Sequence, residues 1–214
     1  MQENETIFHL DIISDVICPW CFIGKRKLDA AIAALPDLRI APVWRPFQLD
    51  PTTPPEGVDY KTRMRKRFGE EEGRRITENI EAAAEGTGIA FAFDKISRVP
   101  NTLNAHRVMR WAGESQHGLA EELFSRHFER GEDVGDTDVL LDAAEAVGLD
   151  RAGIAARLGG ETDIEAVRND DAAARDMGVS GVPAFVAARQ FLLIGAQDTE
   201  RLVRFFRKVQ EKGV

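Results

Sequence analysis

The chain has 214 residues, of which 43% are hydrophobic and 30% charged, and its net charge is −8. This length allows a complete hydrophobic core plus an inserted lobe, so we expect one or two domains. The acidic balance argues against general affinity for nucleic-acid phosphates, and no apolar run approaches the roughly 18 residues of a membrane span. We therefore expect a globular protein whose partners are neither nucleic acid nor membrane.

The N-terminal segment MQENETIFHLDII lacks the basic stretch followed by an apolar stretch that is typical of a secretory signal. We therefore expect a cytoplasmic location. A structural disulfide does not persist in a reducing cytosol, so the two cysteines of the chain are predicted to be catalytic, metal-binding or inert.

The first half of the chain predicts two strands around a helix. Residues 7–13 are rich in β-branched side chains and predict a buried strand, and residues 19–35 repeat apolar side chains at helical spacing. Residues 38–49 alternate as a second strand. Pro42 and Pro46 restrict this strand to a sheet edge, because proline has no N–H to donate to a neighbouring strand. From residue 60 to about 160 the sequence shows only helical signals.

The second half predicts a helix, two strands and a last helix. TDIE at residues 162–165 fits a capping box, and the helix that it opens is predicted to stop at Gly178. Residues 181–197 predict two short strands around a turn near Arg189 and Gln190, and a final amphipathic helix begins at about Asp198. This order predicts an α/β thioredoxin fold with a large all-α insertion. We assign residues 1–52 and 162–214 to the thioredoxin domain and residues 53–161 to the inserted helical domain.

The segment DVICPWCFIG, residues 15–24, contains Cys18 and Cys21, and three interpretations of this pair are open: a redox disulfide, half of a zinc site, or two inert thiols. Zinc requires four ligands, and the four histidines are widely dispersed, so we expect no metal site. Cys18 follows a strand, and Pro19 suits the first position of a helix, where free N–H groups stabilise a thiolate. Cys21 lies one turn later, placed to attack a mixed disulfide at Cys18. The redox interpretation is therefore favoured.

A second motif, GVSGVPAF at residues 178–185, places Pro183 at the start of a strand, shortly after a glycine. The Val182–Pro183 bond is a candidate for the cis form, with an ordinary trans turn proline as the alternative. In a thioredoxin fold this loop adjoins the cysteines, so the backbone of Val182 is a candidate to pair with substrate.

Five segments, SDVICPWCFIGK, WRPFQLDP, PNTLNAHR, GVSGVPAFV and GAQD, occur in this order over most of the chain. With them the sequence resembles the DsbA-like thioredoxin-fold oxidoreductases, and among these the cytoplasmic FrnE-type branch. The resemblance implies a nucleophilic Cys18, a resolving Cys21 and a cis-proline at Pro183 preceded by Val182. The active-site dipeptide of this chain is Pro19-Trp20, where DsbA-type oxidants usually have Pro-His.

The sequence resembles more loosely the kappa-class glutathione transferases and 2-hydroxychromene-2-carboxylate isomerases, in which serine usually replaces the first cysteine and activates glutathione. In that interpretation glutathione is a co-substrate, and Asn101 and Asp198 contact a peptide or glutathione; alternatively, each caps a helix. Asp11 and Asp15 are candidate proton acceptors for the resolving thiol, and the alternative for Asp11 is an acid that reaches solvent from the end of a strand.

We therefore expect a thiol–disulfide oxidoreductase that uses its own redox-active disulfide, without a further cofactor. The expected substrate is a disulfide- or thiol-containing protein or small molecule. A glutathione-dependent isomerase or transferase is the first alternative, and a non-enzymatic binding module is the second.

Overall fold

The structure is a computed structural model that describes residues 7–212. The strands are β1 (Ile7–Ser14), β2 (Arg39–Pro46), β3 (Val58–Asp59), β4 (Arg98–Val99), β5 (Ala184–Ala187) and β6 (Phe191–Ile194). The helices are α1 (Pro19–Ala33), α2 (Tyr60–Phe68), α3 (Glu70–Ala83), α4 (Leu103–Trp111), α5 (Gln116–Ser125), α6 (Thr137–Ala146), α7 (Arg151–Leu158), α8 (Ile164–Asp176) and α9 (Thr199–Glu211). A π-helical turn, Arg126–Arg130, extends α5.

The main sheet has the order β2-β1-β5-β6. β1 and β2 are parallel, as their connection through α1 requires, and β5 runs antiparallel to both β1 and β6. Helices α2 to α7 lie in the chain between β2 and α8. The predicted thioredoxin fold with a helical insertion is therefore confirmed.

The strand β2 lies at the sheet edge, as its two prolines predicted. Alternate residues of an edge strand point their N–H groups away from the neighbouring strand. On β2 the residues that point away from β1 in this way include Pro42, Trp44 and Pro46. The two prolines have no N–H, and the N–H of Trp44 donates to Gln116 Oε1 at 3.0 Å. The edge therefore presents few free donors to another chain.

The two faces of the sheet are covered by different helices. On one face, Leu10 and Ile12 of β1 belong to a large core that also includes the buried residues of α1, α9 and the inserted helices. On the other face, Ile13 packs in a smaller cluster with Ala174 of α8. The inserted helices join the main core through aromatic rings: Phe22 of α1 stacks on Phe124 with centroids 5.3 Å apart.

Two details of the sequence prediction are wrong. Residues 60–160 contain a strand, β4, which pairs with β3 through only two residues of each strand, too few to leave a periodic signal. The capping box at residues 162–165 does not form. Asp163 is the residue that precedes α8, with a positive φ of 62°, and its carboxylate accepts a hydrogen bond from Trp111 Nε1 at 2.7 Å.

The turn between β5 and β6 includes Arg189 and Gln190, as predicted. Ala188 and Arg189 have φ of 51° and 57°, the backbone that a tight hairpin turn requires, and Gln190 N donates to Ala187 O at 3.1 Å. Over residues 7–212, no helix combines the length and apolar character needed to cross a membrane.

Candidate active site

Cys18 lies at the junction between the turn after β1 and the start of α1. Its N–H donates to Asp15 O at 3.0 Å, and its carbonyl accepts from Cys21 N at 2.9 Å, which closes the first helical turn. Pro19 occupies the start of the helix, where its missing N–H leaves no hydrogen bond unmade. The local sequence therefore places Cys18 at the positive end of the α1 dipole, as predicted.

The Cys18 thiol faces the loop before β5. Its Sγ donates to Val182 O at 3.5 Å, and the Val182–Pro183 bond is cis, as predicted. Pro183 O accepts from Gly195 N at 2.7 Å, which ties this loop to the end of β6. The fold thus brings together two motifs that are more than 160 positions apart in the chain.

Gly24 permits this close approach between α1 and the proline loop. A β-carbon on Gly24 would lie 2.9 Å from Pro183 Cγ and 3.6 Å from Phe185 Cζ. Contacts below 3.0 Å are not tolerated by a rigid neighbour, so this helical position requires glycine. Sequence analysis did not find this role of Gly24, because it depends on a residue distant in the chain.

Cys21 lies one turn into α1 with 1% of its surface exposed, and both cysteines are free thiols. Burial raises the pKa of the Cys21 thiol well above its ordinary value, and the hydrogen bond to Cys18 and the charge of Cys18 raise it further. The Ser14 hydroxyl and the backbone N–H of Asp15 oppose this shift. At neutral pH Cys21 is therefore a protonated thiol, which must lose its proton before it can attack a disulfide.

The two candidate proton acceptors lie in different surroundings. Asp11 lies on the sheet face of Ile13, opposite the face that α1 covers, and accepts from Arg45 Nε at 2.7 Å. Asp15 is fully buried beside the cysteine turn. Its Oδ2 accepts from Leu49 N at 2.7 Å, and its Oδ1 lies 3.3 Å from His106 Nε2, short of good hydrogen-bond geometry. The structure therefore places Asp15, and not Asp11, next to the cysteines.

The candidate ligand contacts Asn101 and Asp198 both have partners inside the protein. Asn101 Nδ2 donates to Thr53 O at 2.6 Å, and its Oδ1 accepts from Leu103 N at 2.9 Å, at the start of α4. Asp198 precedes α9, and its carboxylate pairs with Lys27 Nζ at 2.8 Å. Lys27 lies nine residues beyond Cys18, about 13 Å along the helix axis.

Trp20, the second residue between the cysteines, is 38% exposed and is among the few large apolar side chains at the surface.

Ser14 and His106, both buried beside Asp15, were not identified as site residues from the sequence. The signals available were the position of Ser14 at the end of β1 and the occurrence of His106 in the PNTLNAHR segment. Within residues 7–212, no group of three or more His, Cys, Asp or Glu side chains is placed to hold a metal ion.

Comparison of the sequence with known protein families identifies the family of this chain. Residues 9–207 match the DSBA-like thioredoxin domain. The chain belongs to this family. This DSBA-like domain therefore has the thioredoxin fold of thiol oxidoreductases, in agreement with the resemblance seen in the sequence.

Individual proteins are also similar to this chain. The chain is 29% identical over 181 residues to the uncharacterized protein YwbO of Bacillus subtilis (strain 168), a match that covers 83% of this chain and 86% of YwbO. The crystal structure of a probable DsbA oxidoreductase from Streptomyces coelicolor is 28% identical, with a TM-score of 0.83 over 92% of this chain and 87% of that one. A 2-hydroxychromene-2-carboxylate isomerase is 15% identical, with a TM-score of 0.69 over 95% of each chain, a likeness of fold.

Proposed function

We propose that the protein is a thiol–disulfide oxidoreductase in which Cys18 is the nucleophile and Cys21 is the resolving thiol. One observation carries the proposal: Cys18 begins α1 with its Sγ 3.5 Å from Val182 O, and Cys21 lies buried one turn behind it. The N-terminus of a helix favours a negative charge, which is the charge of the attacking thiolate.

The two cysteines would act in sequence. The Cys18 thiolate attacks one sulfur of a substrate disulfide, and the other sulfur leaves as a thiolate that takes up a proton. Cys21 then loses its proton and attacks Cys18 Sγ, which releases the second substrate thiol. The substrate gains two electrons, and Cys18 and Cys21 become a disulfide; the reverse sequence oxidises a dithiol.

The surface around Cys18 supports a disulfide- or thiol-containing protein or small molecule as substrate. Trp20 offers an exposed aromatic ring next to the nucleophile, and the Val182 carbonyl that meets Cys18 Sγ is available to a backbone N–H of a bound peptide once the thiol has reacted. The redox-active pair is the proposed electron carrier, and no further cofactor enters this scheme.

Trapping of the mixed disulfide tests the proposal. Cys21→Ser, incubated with oxidised glutathione or with a disulfide-bonded peptide, should accumulate an adduct visible by intact mass, because the resolving thiol is gone. Cys18→Ser should form little adduct: both thiols are buried, but the remaining one, Cys21, is protonated at neutral pH. The variant that lacks both thiols is the control for non-specific labelling.

The same variants test the glutathione-dependent alternative. Serine at position 18 would mimic the residue that activates glutathione in the kappa-class resemblance, so Cys18→Ser should also be assayed for glutathione-dependent chromene isomerisation. Absence of adduct in Cys21→Ser together with full isomerase activity in Cys18→Ser would replace the proposal by this alternative.

A further inference from the structure

Helix α2 concentrates positive charge. Its nine residues, YKTRMRKRF, include no acid, in a chain whose net charge is −8. Its five cations are Lys61, Arg63, Arg65, Lys66 and Arg67. Three glutamates begin α3 directly afterwards. Because cations and acids four residues apart in one helix form ion pairs, a continuous helix would let these glutamates offset the charge of α2.

A break between the two helices removes this spacing. Gly69 separates α2 from α3 with a φ of 76°, a backbone that favours glycine and ends the helical repeat. The acids of α3 pair within their own helix instead, Glu72 with Arg75 at 3.1 Å and Glu78 with Arg74 at 3.3 Å. The cations of α2 are therefore not neutralised by the acids that follow them in the sequence.

Four of the five cations are exposed and form no ion pair with any residue in the range 7–212: Lys61, Arg65, Lys66 and Arg67. The acid that precedes the helix, Asp59, has its carboxylate on Thr62 N at 2.8 Å. An exposed charge without a partner remains available to a ligand, so α2 presents a positive surface on an acidic protein.

Arg63, the remaining cation, fastens α2 to the segment beside the cysteine turn. It pairs with Asp50, whose side chain is 13% exposed. The preceding residue, Leu49, donates its N–H to Asp15 Oδ2 at 2.7 Å, and Asp15 O accepts from Cys18 N at 3.0 Å. A short series of contacts therefore connects α2 to the start of α1, so that a polypeptide bound along α2 can also reach Cys18.

A groove of about 440 Å3 lies between α2 and α3. The charged side chains that line it are three cations and two acids: Lys61, Arg65, Arg74, Glu70 and Asp94. Met64 and Phe93 add apolar surface. The groove thus combines a positive balance of charge with apolar side chains, which suits a ligand that carries both acids and apolar groups.

An acidic polypeptide fits this surface better than a nucleic acid does. The unpaired cations occupy a single helix of nine residues, and the charge of −8 on the whole chain repels a long polyanion that extends beyond that helix. A short run of Glu or Asp needs only a few cations, and apolar residues beside it can contact Met64 and Phe93.

We propose that α2 and the groove beside it dock an acidic segment of the polypeptide whose disulfide Cys18 attacks. This inference rests on the proposed oxidoreductase function and names its substrate class: proteins that carry a cluster of Glu or Asp close to a disulfide. Opposite charges attract the segment across about 8–10 Å at moderate salt, which raises the rate of encounter. The docked segment takes no part in the exchange, so the bonds that form and break between sulfurs are unchanged.

Two synthetic peptides separate docking from chemistry. Both contain the same intramolecular disulfide and the same glycine–serine spacer, which is followed by glutamates and leucine in one peptide and by glutamines and leucine in the other. The initial rate at which an excess of pre-reduced protein reduces each peptide is followed by mass. At about 0.02 M salt the acidic peptide should react about fivefold faster or more, and at about 1 M salt, where the screening length is about 3 Å, this advantage should disappear.

Charge reversal on α2 locates the effect. Lys61→Glu combined with Arg65→Glu reverses the two α2 cations that line the groove, and should bring the ratio of the two rates to one or below. Arg204→Glu combined with Lys208→Glu is the matched control, because it reverses two exposed cations at the same spacing on α9. The control has the same net charge as the α2 variant and should keep the preference for the acidic peptide.

The outcomes distinguish the docking surface from the proposed function. Equal rates for the two peptides in the parent at low salt, or an equal loss of preference in both reversed proteins, would overturn the docking surface. The salt dependence of the parent needs no variant, so the test holds even if charge reversal prevents folding. A single-stranded oligonucleotide that competes as well as a cysteine-free copy of the acidic peptide would also overturn it, because the surface would then bind any polyanion. Failure of the parent to reduce either peptide would instead overturn the proposed function.

Discussion

Gly24 and Pro183 are packed so closely that the space between them excludes even one methyl group. A β-carbon at position 24 would stand 2.9 Å from Pro183 Cγ, a ring atom that cannot swing away as the end of a long side chain can. Helix α1 carries both cysteines, and the residue before Pro183 provides the carbonyl that meets Cys18 Sγ. The separation of helix and loop therefore sets the geometry of the site.

Gly24→Ala should destabilise the protein although alanine is the better helix former. Alanine gains up to about 1 kcal/mol of helix propensity, but overpacking against a rigid ring typically costs about 1–3 kcal/mol. Gly73→Ala is the matched control, because Gly73 also lies within a helix and a β-carbon there would meet no described atom within 4 Å. We expect the free energy of unfolding in urea to fall for Gly24→Ala and to stay equal or rise for Gly73→Ala. Equal stabilities of the two variants would contradict the packing argument.

His127 should make the folded state less stable in acid. Burial lowers the pKa of its imidazole to about 4, and the Glu132 carbonyl and the charge of Asp15 offset only part of this shift. In the unfolded chain the pKa is about 6.5, so below that pH the unfolded state binds a proton that the folded state does not. The resulting loss of stability begins near pH 6.5 and approaches about 3 kcal/mol at pH 4.

Comparison of two histidine variants isolates this effect from other titrating groups. His127→Gln should lose less stability than the parent between about pH 7 and pH 4.5, when urea unfolding is measured at both. His9→Gln, which changes an exposed histidine, should keep the parent's pH dependence. A pH dependence of stability that is identical in all three proteins would exclude His127 as its source.

The strands and helices that carry the site were predicted correctly because most of them leave a local signature in the sequence. A proline after Cys18 marks the start of a helix, and two prolines on one parity of β2 mark an edge strand. The predicted thioredoxin fold placed the Val182–Pro183 loop next to the cysteines, a relationship that no local pattern contains, and the resemblance to DsbA-like proteins added the cis form of the bond. The helix start and the edge strand were thus predictable from short segments, and the position of the proline loop was predictable from the order of strands and helices along the chain.

The remaining residues beside the cysteine turn are placed by contacts that no local pattern encodes. Ser14 is an ordinary strand-end serine until the fold buries it beside this turn, and His106 is one dispersed histidine until α4 brings its Nε2 to within 3.3 Å of Asp15. The capping box at residues 162–165 shows the converse. A local signal was present there, but the Asp163 carboxylate instead bonds Trp111 in the inserted helices, a tertiary contact that overrides it.

A network of charged side chains joins α1 to α5, and Asp29 lies at its centre. Asp29 accepts from Lys25 Nζ at 2.8 Å and meets His117 Nε2 at 2.6 Å, and Lys25, only 4% exposed, also pairs with Glu121 at 2.9 Å. Burial raises the pKa of Asp29, but the hydrogen bonds of His117 and Lys25 outweigh it, and the pKa lies below its usual value. The stabilisation is therefore present above about pH 4, the unfolded value, and is lost as pH falls through the lower folded value.

Asp29→Asn should lower the free energy of unfolding by about 0.5–1.5 kcal/mol near neutral pH, because it leaves the buried Lys25 with one anionic partner fewer, while the 37% exposure of Asp29 lets solvent screen part of the interaction. Asp37→Asn is the control. It removes an acid that pairs with Arg207 at the surface, where solvent screens the interaction, and its stability should match the parent. Urea unfolding of the three proteins at one pH provides the comparison, and equal losses for the two variants would show that the network is no more stabilising than a surface pair.

Cys21 should remain a weak acid even when Cys18 is removed. Burial is the largest cause of its raised pKa, and the hydrogen bond and charge of Cys18 are smaller causes, so Cys18→Ser removes the charge and leaves the largest cause in place. Burial disfavours the thiolate because the charged form loses more hydration than the neutral form. In folded Cys18→Ser, the ultraviolet absorbance of the thiolate should therefore emerge above the ordinary value of about 8.5, and in urea the same thiol should titrate near that value. A folded-state titration at or below the urea value would show that Cys21 does not depend on a base to lose its proton.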